Sequence, residues 1–231
     1  VPSRNTLKQY ESGGYYHIYN RGVEKRDVFL EVQDYKVFLS YLRSYLLQPS
    51  EQPKDLQGQF LKVVKVAPSR KPNNFQGEIS LIAYCLMPNH FHLLVRQNTD
   101  HGIEYFMRSL ATKYVRYFNT HYKRVGHLFQ GRYKAVAIDS EYQFTYLTKY
   151  IHRNPLSLPI FKDSPCRLSE YPYSSYGVYL GNYRQAWVKP EDVLAYFSRV
   201  HMRNSYQSFV EETFGDDLFV LRESALDMND D

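Results

Sequence analysis

The chain has 231 residues, 43% of them hydrophobic and 23% charged, so a packed core is expected and wholesale disorder is excluded. No apolar run reaches the roughly 18 residues that a membrane-spanning helix needs, and Val1-Pro2-Ser3-Arg4 lacks the apolar centre of a secretory signal. Two cysteines, Cys85 and Cys166, are too few for a disulfide framework or a four-cysteine zinc site, so a cytoplasmic location and no membrane association are expected. The net charge of +5 is unevenly spread: residues from Pro190 onward carry a balance of −7 and the first 189 residues one of +12. A basic body rich in rings, with 23 Tyr and 14 Phe, suits a polyanion whose bases can stack. A tyrosine-rich core under a solvated basic surface gives the same composition.

In chain order, Tyr15 to Arg21 (YYHIYNR) follows two glycines and reads as a strand. A helix is predicted over about Gln33 to Leu47, with Tyr35, Phe38, Leu42, Tyr45 and Leu46 at the helical period and Pro49 ending it. Residues 49–78 form a long insertion rich in Pro, Gln and Lys, within which Phe60 to Val66 could be a short strand. Ile79 to Cys85 and His90 to Arg96 read as two strands joined at Met87-Pro88-Asn89, forming a hairpin. Asp100 to His121 is the clearest helix, with an apolar stripe of Ile103, Phe106, Met107, Leu110, Tyr114 and Phe118 and a basic outer face. A fourth strand is expected over Tyr133 to Asp139. Ser140 with Gln143 has capping-box spacing for a further helix, which Pro155 stops at about Arg153. Loop follows to about Gly181, then two short helices near Pro190 to Val200 and Tyr206 to Phe214.

This order describes an α+β protein. It has a ferredoxin-like or RRM-like antiparallel sheet (βαββαβ) with helices on one face, an added helix, and a mostly helical extension. Residues 1–160 are expected to form the main domain, and 161–231 a loop-rich, then helical and acidic, C-terminal extension.

Two features could carry chemistry. His90 and His92 are two apart on a strand, so both imidazoles leave one face and could share a metal ion. Hydrogen-bonded, partly buried imidazoles are the plainer alternative. Tyr150 and Asn154 are four apart near a helix end and share a face, so a phenol nucleophile could sit beside an amide oxygen ligand. Tyr142, Tyr146 and Tyr150 nevertheless form a stripe of the kind that usually serves packing.

The combination resembles a known family. Cys85-Leu86-Met87-Pro88-Asn89-His90-Phe91-His92-Leu93-Leu94-Val95 resembles the His-hydrophobe-His (HUH) motif of the single-tyrosine transposases of insertion sequences. Arg116-Tyr117-Phe118-Asn119, the run from Gly126 to Ala135 and Tyr150-Ile151-His152-Arg153-Asn154-Pro155 look like the same group. Tyr171-Pro172-Tyr173-Ser174-Ser175-Tyr176 is similar to its Trp-Ser-Ser segment, with Tyr173 in the Trp place. The nearest subgroup is the REP-associated tyrosine transposases. The resemblance runs from about Tyr15 to Gly181; the 49–78 insertion exceeds the family's usual connection, and the acidic end lies outside the pattern.

The resemblance implies a metal-dependent endonuclease and strand transferase for single-stranded DNA, usually acting beside a hairpin or palindrome. Tyr150 would be the catalytic nucleophile, forming a 5′-phosphotyrosine. His90, His92 and Asn154 would be the metal ligands, and the ion Mg or Mn. Arg108, Lys113, Arg116, Lys123, Arg124 and Arg132 are candidates for DNA contact; solvated surface is the competing reading of each. The roles of His17, His127 and His152 stay open. A monomer and a homodimer are both compatible with the resemblance, as are a mobile-element and a resident role. A hairpin-binding module that does not cut, built on the same sheet, and an HUH replication initiator or relaxase are the alternatives.

Overall fold

The computed structural model describes residues 10–48, 50, 73–162, 165–199, 201 and 205–212. The strand considered at Phe60 to Val66 and the acidic stretch after 212 lie outside these residues. Strands β1 (Tyr15–Arg21), β2 (Ile79–Met87), β3 (His90–Gln97) and β4 (Lys134–Ile138) form one antiparallel sheet in the order β2-β3-β1-β4. That is the order a βαββαβ unit takes, and the α+β expectation is borne out.

Period-two alternation splits the sheet into two buried faces. Tyr16, Ile18, Leu81, Tyr84, Leu86, Phe91, Leu93 and Val95 point to one face, beneath α1 (Val32–Leu46) and α2 (Gly102–His121). The stripe Ile103, Phe106, Met107, Leu110, Tyr114 and Phe118 is buried there as its spacing requires. Asp34 ties the two helices together: its carboxylate accepts from the backbone N–H groups of Leu30 and Glu31 and from the hydroxyls of Tyr117 and Tyr122.

The opposite face presents Ile82, Ala83, Cys85, Met87 and Leu94. It is covered by α3 (Glu141–Arg153), through Phe144, Leu147 and Ile151, and by residues of the C-terminal extension. Burying each of these three side chains contributes about 1.5–3 kcal/mol. The Ser140 hydroxyl accepts from the Gln143 N–H, as a capping serine should, while the Gln143 carboxamide accepts from the Asp139 N–H, one residue earlier than a capping box requires.

The extension also closes the outer edge of β2, where an unpaired edge would otherwise be exposed. Leu86 N–H donates to the Tyr173 carbonyl, Ser175 N–H to the Tyr84 carbonyl and Lys189 N–H to the Leu81 carbonyl. Short helices α4 (Tyr176–Tyr179), α5 (Glu191–Leu194) and α6 (Tyr206–Glu211) complete the described part. Thus α1 and α2 share one face, and the added helix α3 occupies the other. Among the described residues, no helix is long and apolar enough to cross a membrane.

Candidate active site

Sheet register places the two imidazoles at the end of the α3 face. On β3, His90 lies opposite Arg21 and Met87, and His92 opposite Tyr19 and Cys85. The two rings stand 5.0 Å apart, nearly perpendicular. Because α3 crosses this face, its last turns bring Tyr150 and Asn154 to the same point. The Tyr150 ring meets the His92 ring edge-on, with centroids 5.3 Å apart, and Asn154 Oδ1 lies 3.2 Å from His90 Nε2. The four residues picked out by the motifs therefore converge within one chain.

The hydrogen bonding around them bears on whether a cation fits. Asn154 Nδ2 donates to the Tyr150 carbonyl, which turns Oδ1 toward His90. On the other side of that ring, Asn89 Oδ1 lies 2.6 Å from His90 Nδ1. A neutral imidazole has one N–H, yet both ring nitrogens face an oxygen acceptor. Burial lowers the His90 pKa to about 4, against the favourable contact with Asn154, so the doubly protonated ring is not the resting state. One nitrogen–oxygen contact therefore lacks a proton, as two ligands of a shared cation would. The separation of 3.2 Å suits neighbouring ligands of a small octahedral ion, whose bonds of about 2.1 Å put adjacent donors about 3 Å apart.

His92 adds the stronger sign. It is fully buried, burial holds its pKa well below the usual value, and its Nε2 has no hydrogen-bond partner. A neutral imidazole with an unpartnered nitrogen is the form that binds a divalent ion. Two imidazoles and one amide oxygen can ligate several divalent ions, Mn among them. A structural zinc site with four protein ligands does not match them. Among the described residues, no group of three or more His, Cys, Asp or Glu could hold a metal ion.

Tyr150 is half-buried. Burial raises its pKa, opposed by the Asn154 carboxamide beside the phenol. The remainder of the tyrosine stripe does serve packing: Tyr142 packs on Tyr146, and Tyr146 on Phe209. Two cations hold the turn that carries Tyr150. Lys149 Nζ donates to the Glu212 carbonyl and Arg153 Nη1 to the Val210 carbonyl, at the C-terminal end of α6 where carbonyls are left over. His152 is fully buried between the Tyr206 hydroxyl and Ser175 Oγ, at 2.6 and 2.7 Å. The family-like Ser-Ser pair is thus a brace between β2 and α3. Tyr173 stacks on Tyr35 with centroids 3.8 Å apart.

The candidate DNA contacts are placed differently. Arg108, Lys113 and Arg116 project from α2, which lies across the sheet from the histidine pair, and Lys123 and Arg124 follow its end. Lys113 and Arg108 lie over rings of their own layer, Lys113 on Tyr41 and Tyr45 and Arg108 on Tyr105. Arg132 is exposed in the loop before β4. On the face that carries the histidine pair the basic neighbours are instead Arg21, opposite His90, and Lys134, opposite Tyr19. His17 also joins the site, its Nε2 2.9 Å from His92 Nδ1. Its place two residues before Tyr19 fixed its face, but the register of β1 against β3 could not be read locally.

Residues 58–154 match the family model described as Transposase IS200 like, a span that contains His90, His92, Tyr150 and Asn154. The matched span, less than half of the chain, is thus similar to the IS200-like transposases. The solved structure of a REP-associated tyrosine transposase bound to a REP hairpin aligns with a TM-score of 0.50 and 17% identity, covering 80% of this chain and 91% of that one. At this identity the likeness shows the fold. A Deinococcus radiodurans protein described as a candidate transposase aligns with a TM-score of 0.28 and 17% identity over 64% of this chain and 96% of its own. The tRNA(His) guanylyltransferase of Saccharomyces cerevisiae gives 0.33 and 9% over 96% of this chain and 81% of its own. Neither of these two supports an argument. No curated protein matches the chain.

Proposed function

We propose that this chain cleaves and rejoins single-stranded DNA by transesterification through Tyr150, at hairpin or palindromic sites. The observation that carries the reading is the meeting, within one chain, of the Tyr150 ring with the buried His92 whose Nε2 has no partner. The phenol oxygen attacks the scissile phosphorus, and the P–O bond to the 3′ oxygen breaks. A 5′-phosphotyrosine forms; the departing 3′ oxygen takes a proton and leaves as a hydroxyl. Attack by another 3′-hydroxyl on the phosphotyrosine reverses these bonds and joins new ends. The phosphodiester bond is conserved throughout, so no nucleotide cofactor is required.

His90, His92 and Asn154 would hold Mg or Mn. When bound, the ion would neutralise charge developing on the phosphate. The protein's own part is positional: α3, held by Lys149 and Arg153, presents the phenol, and Asn154 stands between Tyr150 and His90. Since Tyr150 reaches the pair in its own chain, a monomer is sufficient for the reaction. Arg21 and Lys134 are better placed than the α2 cations to meet phosphates entering the site.

The test uses a hairpin with a single-stranded flank, Mn or Mg, and denaturing gels. The wild type should give a covalent protein–DNA band that disappears with chelator or in Tyr150→Phe, while hairpin binding by the variant persists. An equal adduct yield in Tyr150→Phe excludes this nucleophile. Cutting that persists in chelator excludes the metal. Binding with no adduct under any condition favours a hairpin-binding module.

A further inference from the structure

We propose that His17 is a positioning residue: it accepts the Nδ1 proton of His92 and so leaves the His92 Nε2 lone pair bare toward the site. The inference rests on the metal reading given above and identifies what would hold one ligand in its binding form.

His92 is fully buried and its two ring nitrogens have unlike surroundings. Nδ1 lies 2.9 Å from His17 Nε2, a hydrogen-bond distance, whereas Nε2 has no partner. A neutral imidazole carries one proton, and the surroundings decide which nitrogen holds it. A proton on Nε2 would be a buried donor without an acceptor. With the proton on Nδ1 the short contact becomes a hydrogen bond, and the unpartnered atom is a lone pair. For this, His17 must offer its own Nε2 as acceptor and carry its proton on Nδ1. His17 is 2% exposed on the central strand β1, with its ring centre 5.0 Å from that of His92, the two ring planes 23° apart, and Tyr19 and Tyr150 packed nearby, so its ring is well confined. A metal-binding histidine commonly has its other nitrogen fixed by a neighbour in this way. Here the neighbour is a second imidazole on the adjacent strand rather than a carboxylate or carbonyl.

The first experiment is nitrogen NMR of the metal-free wild type labelled in histidine. We expect His92 protonated at Nδ1 and bare at Nε2. A proton found on His92 Nε2 overturns the proposal without reliance on any variant. The second is Mn titration of the wild type, His17→Phe and His17→Gln, followed by calorimetry or by broadening of histidine signals. His17→Phe, which lacks an acceptor, should weaken Mn binding about 10–100-fold. His17→Gln, whose amide oxygen can accept, should retain more of it. Equal Mn affinity in the folded Phe variant overturns the role of His17. A wild type that does not bind Mn overturns the metal reading, and the NMR result then decides the His17–His92 hydrogen bond separately.

Discussion

Acid should unfold this protein through its buried histidines. His17, His92 and His152 are 2%, 0% and 0% exposed, and burial lowers the pKa of His17 and of His152 to about 3 and that of His92 well below its usual value. In the unfolded chain each returns to about 6.5. The folded-state pKa is the lower one, so above about pH 7 both states are neutral and the groups contribute no pH dependence. As pH falls below 6.5 the unfolded state gains protons that the folded state refuses, and stability drops until the folded pKa is reached. At pH 5 the cost is roughly 2 kcal/mol each for His17 and His152, or about 4 kcal/mol for the two, and His92 acts in the same direction. That is comparable with the whole stability of an ordinary domain, about 5–15 kcal/mol. Urea unfolding at pH 8, 7, 6 and 5 measures it directly. We expect little change from 8 to 7 and a loss of at least about 2 kcal/mol between 6 and 5. His152→Gln should reduce the proton uptake on unfolding by about one. Uptake of less than one proton by the wild type between pH 6 and 5 would refute the reasoning.

Further outcomes follow from individual contacts. Asn154→Ala removes the amide beside both His90 and Tyr150, and should weaken Mn affinity and lower adduct yield at fixed Mn, with recovery as Mn is raised. Arg21→Gln with Lys134→Gln should weaken binding to a single-stranded flank and lessen its salt dependence more than Arg108→Gln with Arg116→Gln; the reverse order would restore the α2 face as the DNA surface. Lys149→Met keeps the side-chain length but leaves the Glu212 carbonyl without its Nζ donor, and should cost about 1–2 kcal/mol in urea melts.

What could be read from sequence was what local rules determine. Period two placed His90 and His92 on one face, and the 3.6 period placed Asn154 beside Tyr150 and gave α2 its buried stripe. The Gln143 partner was off by one residue because a cap is set by backbone direction as much as by spacing. Strand register was not legible. The βαββαβ order puts β1 beside β3, but nothing in YYHIYNR sets Tyr19 opposite His92, so His17 could not be joined to His92. Likewise, a basic stripe on α2 does not reveal which side of the sheet the helix covers, so Arg108, Lys113 and Arg116 were candidates for a face that turned out to be remote from the histidine pair. Tyr142, Tyr146 and Tyr150 have the same spacing. Only the tertiary structure separates two packing rings from the one at the histidines.

The most direct measurement is the position of the covalent bond. Trypsin cuts after Lys149 and Arg153, so Tyr150 should be released in the short peptide Tyr150-Ile151-His152-Arg153. After reaction with hairpin DNA and Mn, nuclease trimming and mass spectrometry, we expect a nucleotide phosphate on that peptide. A phosphotyrosine on another peptide, or no adduct while DNA is nevertheless cut, would contradict the central claim that Tyr150 is the nucleophile.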